Sequence, residues 1–253
     1  MEKRIIARGL LAGAMGGVLA FVFARTFVEP VIARALAYEE SREHGHGHGV
    51  ELFTRGVQAN IGMGFGVLAF SVAMGALYAA VYCVAYGRVG KLSPRLLSVA
   101  LAGGMFLSLY MIPFLKYPPS PPASSLEETI RQRTLLYLLM VVLSAALLVA
   151  AVYLGHRLIA QFGQWGATLI GAGAYVLAIA IVMLVLPTID ETPDDFPADV
   201  LYDFRLYSLG TQLVLWAVIG LVFASMAQRL LGQSQRAEQV PSQGVGAERL
   251  GGV

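Results

Sequence analysis

Residues 134–154 read TLLYLLMVVLSAALLVAAVYL, twenty-one positions without a charged group. A hydrocarbon core of about 30 Å takes about 20 residues of helix at roughly 1.5 Å each, so this stretch is long enough to cross a bilayer. Comparable stretches lie at about 5–28, 61–86, 95–115, 165–187 and 207–228. In lipid, a helix satisfies its own backbone donors and acceptors. The sequence therefore predicts an all-α, polytopic transmembrane helical bundle of about six spans. The first stretch follows Lys3 and Arg4 as a secretory leader would. Its apolar run is too long for that, and no small-residue cleavage site precedes Arg25, so it reads as a retained span.

The composition agrees. Of 253 residues, 57% are hydrophobic and 13% charged, against about 25% charged in globular chains. So few charges cannot cover a water-soluble surface. The single cysteine, Cys83, argues against a disulfide-stapled secreted domain. A formal net charge of +2 offers no field for nucleic acid, so no nucleic-acid partner is expected.

The polar connections alternate between two sides. One side, with both termini and the short loops at about 87–94 and 155–164, carries ten Lys/Arg and three acids. The other has three longer connections with eight Lys/Arg and thirteen acids. Positive residues in short loops mark the cytoplasmic side, so both termini are expected in the cytoplasm. The bundle is expected over 1–231, and 232–253, poor in large apolar groups, as a disordered cytoplasmic tail. Pro30, Pro113 and Pro187 stand near the ends of outgoing spans, and Arg55, Arg131 and Arg205 precede the return spans. We read these as helix ends and interfacial anchors. Glycines at four-residue spacing (Gly9, Gly13, Gly17; Gly62, Gly66) allow close helix packing and predict that the first two spans are buried in the bundle or in a partner.

The segment with the sharpest chemistry is His44-Gly45-His46-Gly47-His48-Gly49, inside a loop at about 37–56 that also holds Glu39, Glu40, Glu43 and Glu51. In an extended chain, alternate residues share a face. The interleaved glycines oppose helix. Such a tether can gather two or three imidazole nitrogens on one ion. Imidazole with carboxylate suits Co2+, Ni2+, Zn2+ and Cu2+. The proposed ligands are His44, His46, His48, Glu43 and Glu40, in a capturing role; a catalytic metal would need fixed geometry and an open position. Neutral imidazole is the ligand, so binding should weaken as pH falls through about 6.

Other features carry less. The acidic segment Asp190, Glu191, Asp194, Asp195, Asp199 and Asp203 reads as a solvated loop and matches no calcium loop. Residues 116–122, Lys-Tyr-Pro-Pro-Ser-Pro-Pro, form a stiff polyproline-like connector. Ala85 and Leu92 spoil a phosphate loop around Gly90-Lys91. No Ser-His-Asp or Cys-His set can be assembled within the spans, so the chain reads as a non-enzyme without a tightly bound cofactor. The six spans contain no Asp, Glu or His, only weak ligands such as Met63, Met74, Met105, Met111, Met140 and Met183, and Glu29 stands at the outer end of the first.

Taken in order, RGLLAGA at 8–14, FVEPV at 27–31, the Glu/His loop at 39–51, RGVQ at 55–58, PFLKYPPSPP at 113–122, FPADVL at 196–201 and FRLYSLGTQLVLW at 204–216 resemble the CbtA family of proposed cobalt transporter subunits. The resemblance implies a multi-pass protein of the prokaryotic cytoplasmic membrane, linked to Co2+ supply for cobalamin synthesis. It also implies a very small partner subunit carrying one span and histidines. The rival readings are a non-conducting scaffold that buffers metal for a partner, and a permease for an organic cofactor precursor.

Overall fold

The computed structural model describes residues 2–42, 54–90, 92–122, 127–189, 192–193 and 195–239. Among these the regular structure is all helix, without a strand. Helix α1 (Glu2–Phe23) runs through a π-helical turn (Ala24–Val28) into α2 (Glu29–Arg42). Helix α3 (Arg55–Val57) runs through a second π turn (Gln58–Gly62) into α4 (Met63–Ala85). Helix α5 (Pro94–Phe106) runs through a third (Leu107–Met111) into α6 (Ile112–Lys116). Helices α7 (Glu127–Val185) and α8 (Ala198–Gln239) complete the chain. Five helices among the described residues are long and apolar enough to cross a membrane: Lys3–Ser41, Arg55–Ala85, Pro94–Lys116, Ile130–Val185 and Ala198–Arg229. The fold is an all-α polytopic membrane bundle.

Six apolar stretches were expected and five such helices are present; the difference lies in α7. Its 59 residues are helical except at Gly163, where φ is 69° and ψ is 173°. Side chains are crowded in that left-handed region, and glycine is not. The helix doubles back there: Ser144 Oγ and Tyr175 Oη hydrogen-bond at 2.8 Å, and a Cβ on Gly171 would lie 3.0 Å from the Ala151 carbonyl oxygen. The fourth and fifth stretches are thus two arms of one reversed helix, and the polar loop expected at 155–164 contracts to a turn at Gly163.

Two of the three prolines correct the sequence reading. Pro30 and Pro113 do not end helices; each lies inside a continuing one, two residues past a π turn. Proline lacks an N–H and its ring crowds the carbonyl four residues back, and the wider π turn makes room for it. At Pro113 that displaced carbonyl, Leu109 O, accepts the Tyr137 hydroxyl at 3.4 Å. The ends of the expected 37–56 loop are also helical, since α2 reaches Arg42 and α3 starts at Arg55. Helix α8 continues to Gln239, into the expected tail, and residues 240–253 lie outside the described set.

The helices divide into two compact units. The first comprises Met1–Val18, Gly66–Gly103 and Leu215–Val253. Its centre is a glycine-mediated crossing: a Cβ on Gly75 would lie 2.8 Å from Gly13 Cα, and one on Gly17 would lie 2.8 Å from Ser71 Cβ. The first-span glycines thus pack as expected. Gly62 and Gly66 meet no other helix of this chain: a Cβ on Gly66 meets nothing within 4 Å, and on Gly62 only the Val57 carbonyl at 3.7 Å. Tyr78 and Tyr82 stack edge-on against Phe223, and Ser98 Oγ donates to Gly220 O at 3.0 Å. Arg8 Nη1 donates to Met226 O, a carbonyl within α8, at 2.7 Å.

The second unit comprises Leu19–Phe65 and Gly104–Val214. It has two buried clusters: Ile112, Tyr117, Met140, Tyr175 and Ile179, and Val31, Ala35, Phe196 and Val200. The second of these fixes α2 against the start of α8, with Tyr38 edge-on to Phe196 at 5.0 Å. The polar groups considered below belong to this unit.

Candidate functional site

Glu29 begins α2 directly after the first π turn, and its backbone N–H bonds Ala24 O, five residues back. The residue is 7% exposed, the one charged side chain that is buried among the described residues. Arg55 Nη2 donates to Glu29 Oε1 in an ion pair. The other oxygen, Oε2, is buried without a hydrogen-bond partner. Close by in sequence, Arg25 Nε donates to Asn60 Oδ1 at 2.9 Å, and Asn60 Nδ2 donates to Gly56 O at 2.8 Å. A side-chain donor on the carbonyl four residues back competes with the helical ladder, which accounts for the second π turn without a proline. Two side-chain pairs, Glu29–Arg55 and Arg25–Asn60, therefore tie the first π turn to the second.

Further along α2, Arg34 reaches α8. Its Nη2 lies 2.6 Å from Asp203 Oδ2 and its Nη1 lies 3.3 Å from Asp199 Oδ2. For Asp199 and Asp203 this corrects the reading of the acidic segment as a solvated loop. Asp199 and Asp203 occupy the opening turns of α8, where carboxylates suit the helix N-terminus, and both are paired. Asp190, Glu191 and Asp194 lie outside the described residues.

The polyproline segment is held from three directions. Arg133 Nη2 donates to Pro118 O, Arg205 Nε donates to Pro119 O at 3.4 Å, and Tyr117 Oη donates to Pro187 O at 2.7 Å. Pro121 is fully buried and Tyr117 is 3% exposed. Burial raises the ionisation of the Tyr117 phenol above its ordinary value. Beside it is a cavity of about 420 Å³ walled by Tyr110, Phe114, Tyr137, Leu138 and Arg133.

Of the ligands expected from sequence, His44, His46, His48 and Glu43 lie outside the described residues. Glu40 is described: it is exposed, on the last turns of α2. Among the described residues no group of three His, Cys, Asp or Glu side chains is placed to hold a metal ion. The sequence reading did not anticipate the Glu29–Arg55 pair. Its signals were an acid immediately before Pro30 and an arginine at the start of the return span, but nothing in the sequence shows that those two residues meet.

The sequence model of the family described as "Probable cobalt transporter subunit (CbtA)" matches residues 2–228. The chain belongs to the CbtA family. No curated protein and no solved structure matches it. As a CbtA member it is a membrane protein of a family described as transporter subunits, which implies cobalt as the cargo and at least one partner subunit. The family match begins in α1 and ends in α8, so it takes in the Glu29–Arg55 pair, the Arg34–Asp203 pair and the polyproline segment.

Proposed function

We propose that this CbtA chain is the membrane subunit of a Co2+ uptake system that supplies cobalamin synthesis. It works in the prokaryotic cytoplasmic membrane, with both termini in the cytoplasm, beside a small single-span subunit carrying histidines. His44, His46, His48, Glu43 and Glu40 capture the dication on the outer side; Ni2+ and Zn2+ compete for the same donors. The chain passes an ion and catalyses no reaction. The observation that carries this reading is the family match over residues 2–228. Chain geometry supports it: α2 carries Glu40 at the near end of the tether, and α3 anchors the far end at Arg55. His48 is separated from Arg55 by at most about 25 Å of extended chain, so a captured ion starts within reach of the bundle.

A second reading, a non-conducting scaffold that buffers metal for its partner, is favoured by one observation: no three-ligand metal group exists among the described residues. Uptake of radioactive cobalt separates the two. It would be measured in cells expressing the chain with its partner, the partner alone, and the chain with His44, His46 and His48 changed to alanine. Capture on the loop predicts uptake that needs the chain and falls in the triple variant. Uptake by the partner alone would favour the scaffold, and uptake unaffected by the triple change would remove the loop from the mechanism.

A further inference from the structure

Glu29 is hard to explain as a structural residue. An ion pair taken out of water repays its desolvation only when its remaining lone pairs are also met. This pair is lopsided: the Arg55 side chain keeps 41% of its exposure and the Glu29 side chain only 9%. Oε1 is met by Arg55, while Oε2 is buried and unmet. Packed apolar side chains of similar volume would serve stability at least as well. Glu29 lies in the helix Lys3–Ser41, long and apolar enough to cross a membrane, and ionisable groups retained in such helices mark pathways for ions. The backbone beside it is unusual too. The pair is flanked by the π turns Ala24–Val28 and Gln58–Gly62, and π turns recur at functional sites. Pro30 supplies no N–H, so one carbonyl oxygen in the first turn lacks its helical donor. Carboxylate and carbonyl oxygens are ligands that can stand in for the hydration shell of a cation.

We propose that Glu29 is the carboxylate that receives the transported cation inside the bundle, and that Arg55 is the counter-charge the cation displaces. This rests on the reading of the chain as a Co2+ carrier and extends it to a transit site. In the empty state Arg55 neutralises Glu29, so the buried carboxylate is never uncompensated. An arriving dication brings twice the charge and can engage the oxygen that Arg55 leaves unmet. Arg55 has a route out: it is the first residue of a three-residue helix, preceded by extended Thr54 (φ −64°, ψ 151°), and its side chain is already partly exposed. Competition from Arg55 keeps the site weak, and a transit site must release what it binds.

The test uses the full-length purified chain in lipid nanodiscs, equilibrium dialysis against CoCl2 at pH 7.5, and a background in which His44, His46 and His48 are alanine. There, Glu29→Gln should weaken Co2+ binding at least about tenfold, and Arg55→Gln should tighten it about tenfold, because one competing charge is removed. Unchanged affinity in both variants overturns the proposal. The swapped pair, Glu29→Arg with Arg55→Glu, keeps an ion pair but moves the carboxylate to the exposed position. It should elute as the parent does and bind Co2+ no better than Glu29→Gln; parental binding by the swap would mark the pair as a structural tie and overturn the proposal. If Glu29→Gln fails to fold, the Arg55→Gln arm decides. Cobalt uptake that is lost in the triple-alanine chain yet intact in Glu29→Gln would leave the capture reading standing and remove this one. A Glu29-dependent site in a chain whose loop histidines are dispensable would do the reverse.

Discussion

Changing Gly75 to alanine tests the packing on which the first unit depends. The added Cβ would stand 2.8 Å from Gly13 Cα and 2.9 Å from Gly13 N, and closer still to the Gly9 carbonyl oxygen. Carbon atoms prefer separations of about 3.5–4.0 Å, so α1 and α4 must move apart by a large fraction of an ångström. The atoms in the way are backbone, which cannot rotate aside. Overpacking of this kind costs about 1–3 kcal/mol, and the better helix propensity of alanine returns up to about 1 kcal/mol. A net loss of about 1–2 kcal/mol would lower Tm by several degrees in a chain of this size, at about 2–4 °C per kcal/mol. The assay is heating in detergent followed by size-exclusion chromatography of the surviving folded fraction. Gly103→Ala is the internal control, since a Cβ there meets nothing within 4 Å; it should match or exceed the parent. If Gly75→Ala melts no lower than Gly103→Ala, the close crossing of α1 and α4 is wrong.

Three further outcomes are expected. The Arg34–Asp203 pair is partly exposed on both sides, so a double-mutant cycle with alanine at both positions should give a coupling of only about 0.2–1 kcal/mol, and a coupling several times larger would contradict that exposure. Tyr117→Phe removes the hydroxyl that donates to Pro187 O and should cost about 1 kcal/mol near neutral pH. Because burial raises the Tyr117 phenol, its contribution is full below the unfolded value near about 10 and is lost as pH rises through the folded value. The Tm difference between parent and Tyr117→Phe should therefore narrow above that pH, and a constant difference would contradict it. A peptide of residues 39–52 should bind Co2+ more weakly at pH 5.5 than at pH 7.5, since protonated imidazole is no ligand; equal binding would show that carboxylates alone hold the ion.

The sequence was most legible where one residue type has one physical consequence. Long apolar runs become helices in any context that removes water, and Gly9, Gly13 and Gly17 pack against a neighbouring helix because only small residues allow it. It was least legible where the outcome depends on a partner distant in the chain. Pro30 and Pro113 read as helix ends, yet neighbouring packing carries both helices through by way of π turns. Gly62 and Gly66 have the same spacing as the first-span glycines, but a Cβ on either meets no neighbouring span of this chain within 4 Å. Asp199 and Asp203 read as a solvated loop until Arg34, far earlier in the chain, is placed beside them. The Glu29–Arg55 pair was illegible for the same reason, since residues twenty-six apart in the chain meet only through the fold. The histidine tether is read from its chemistry alone, three imidazoles alternating with glycine, and residues 43–53 lie outside the described residues.

The import account requires the histidine tether to face the outside of the cell, and labelling tests that directly. Cys83 is the only cysteine, so Cys83→Ser gives a background in which His46→Cys supplies a single thiol. A membrane-impermeant maleimide added to intact cells should label that thiol to the same extent as in permeabilised cells. Labelling that appears only after permeabilisation would put the tether in the cytoplasm and contradict capture for uptake.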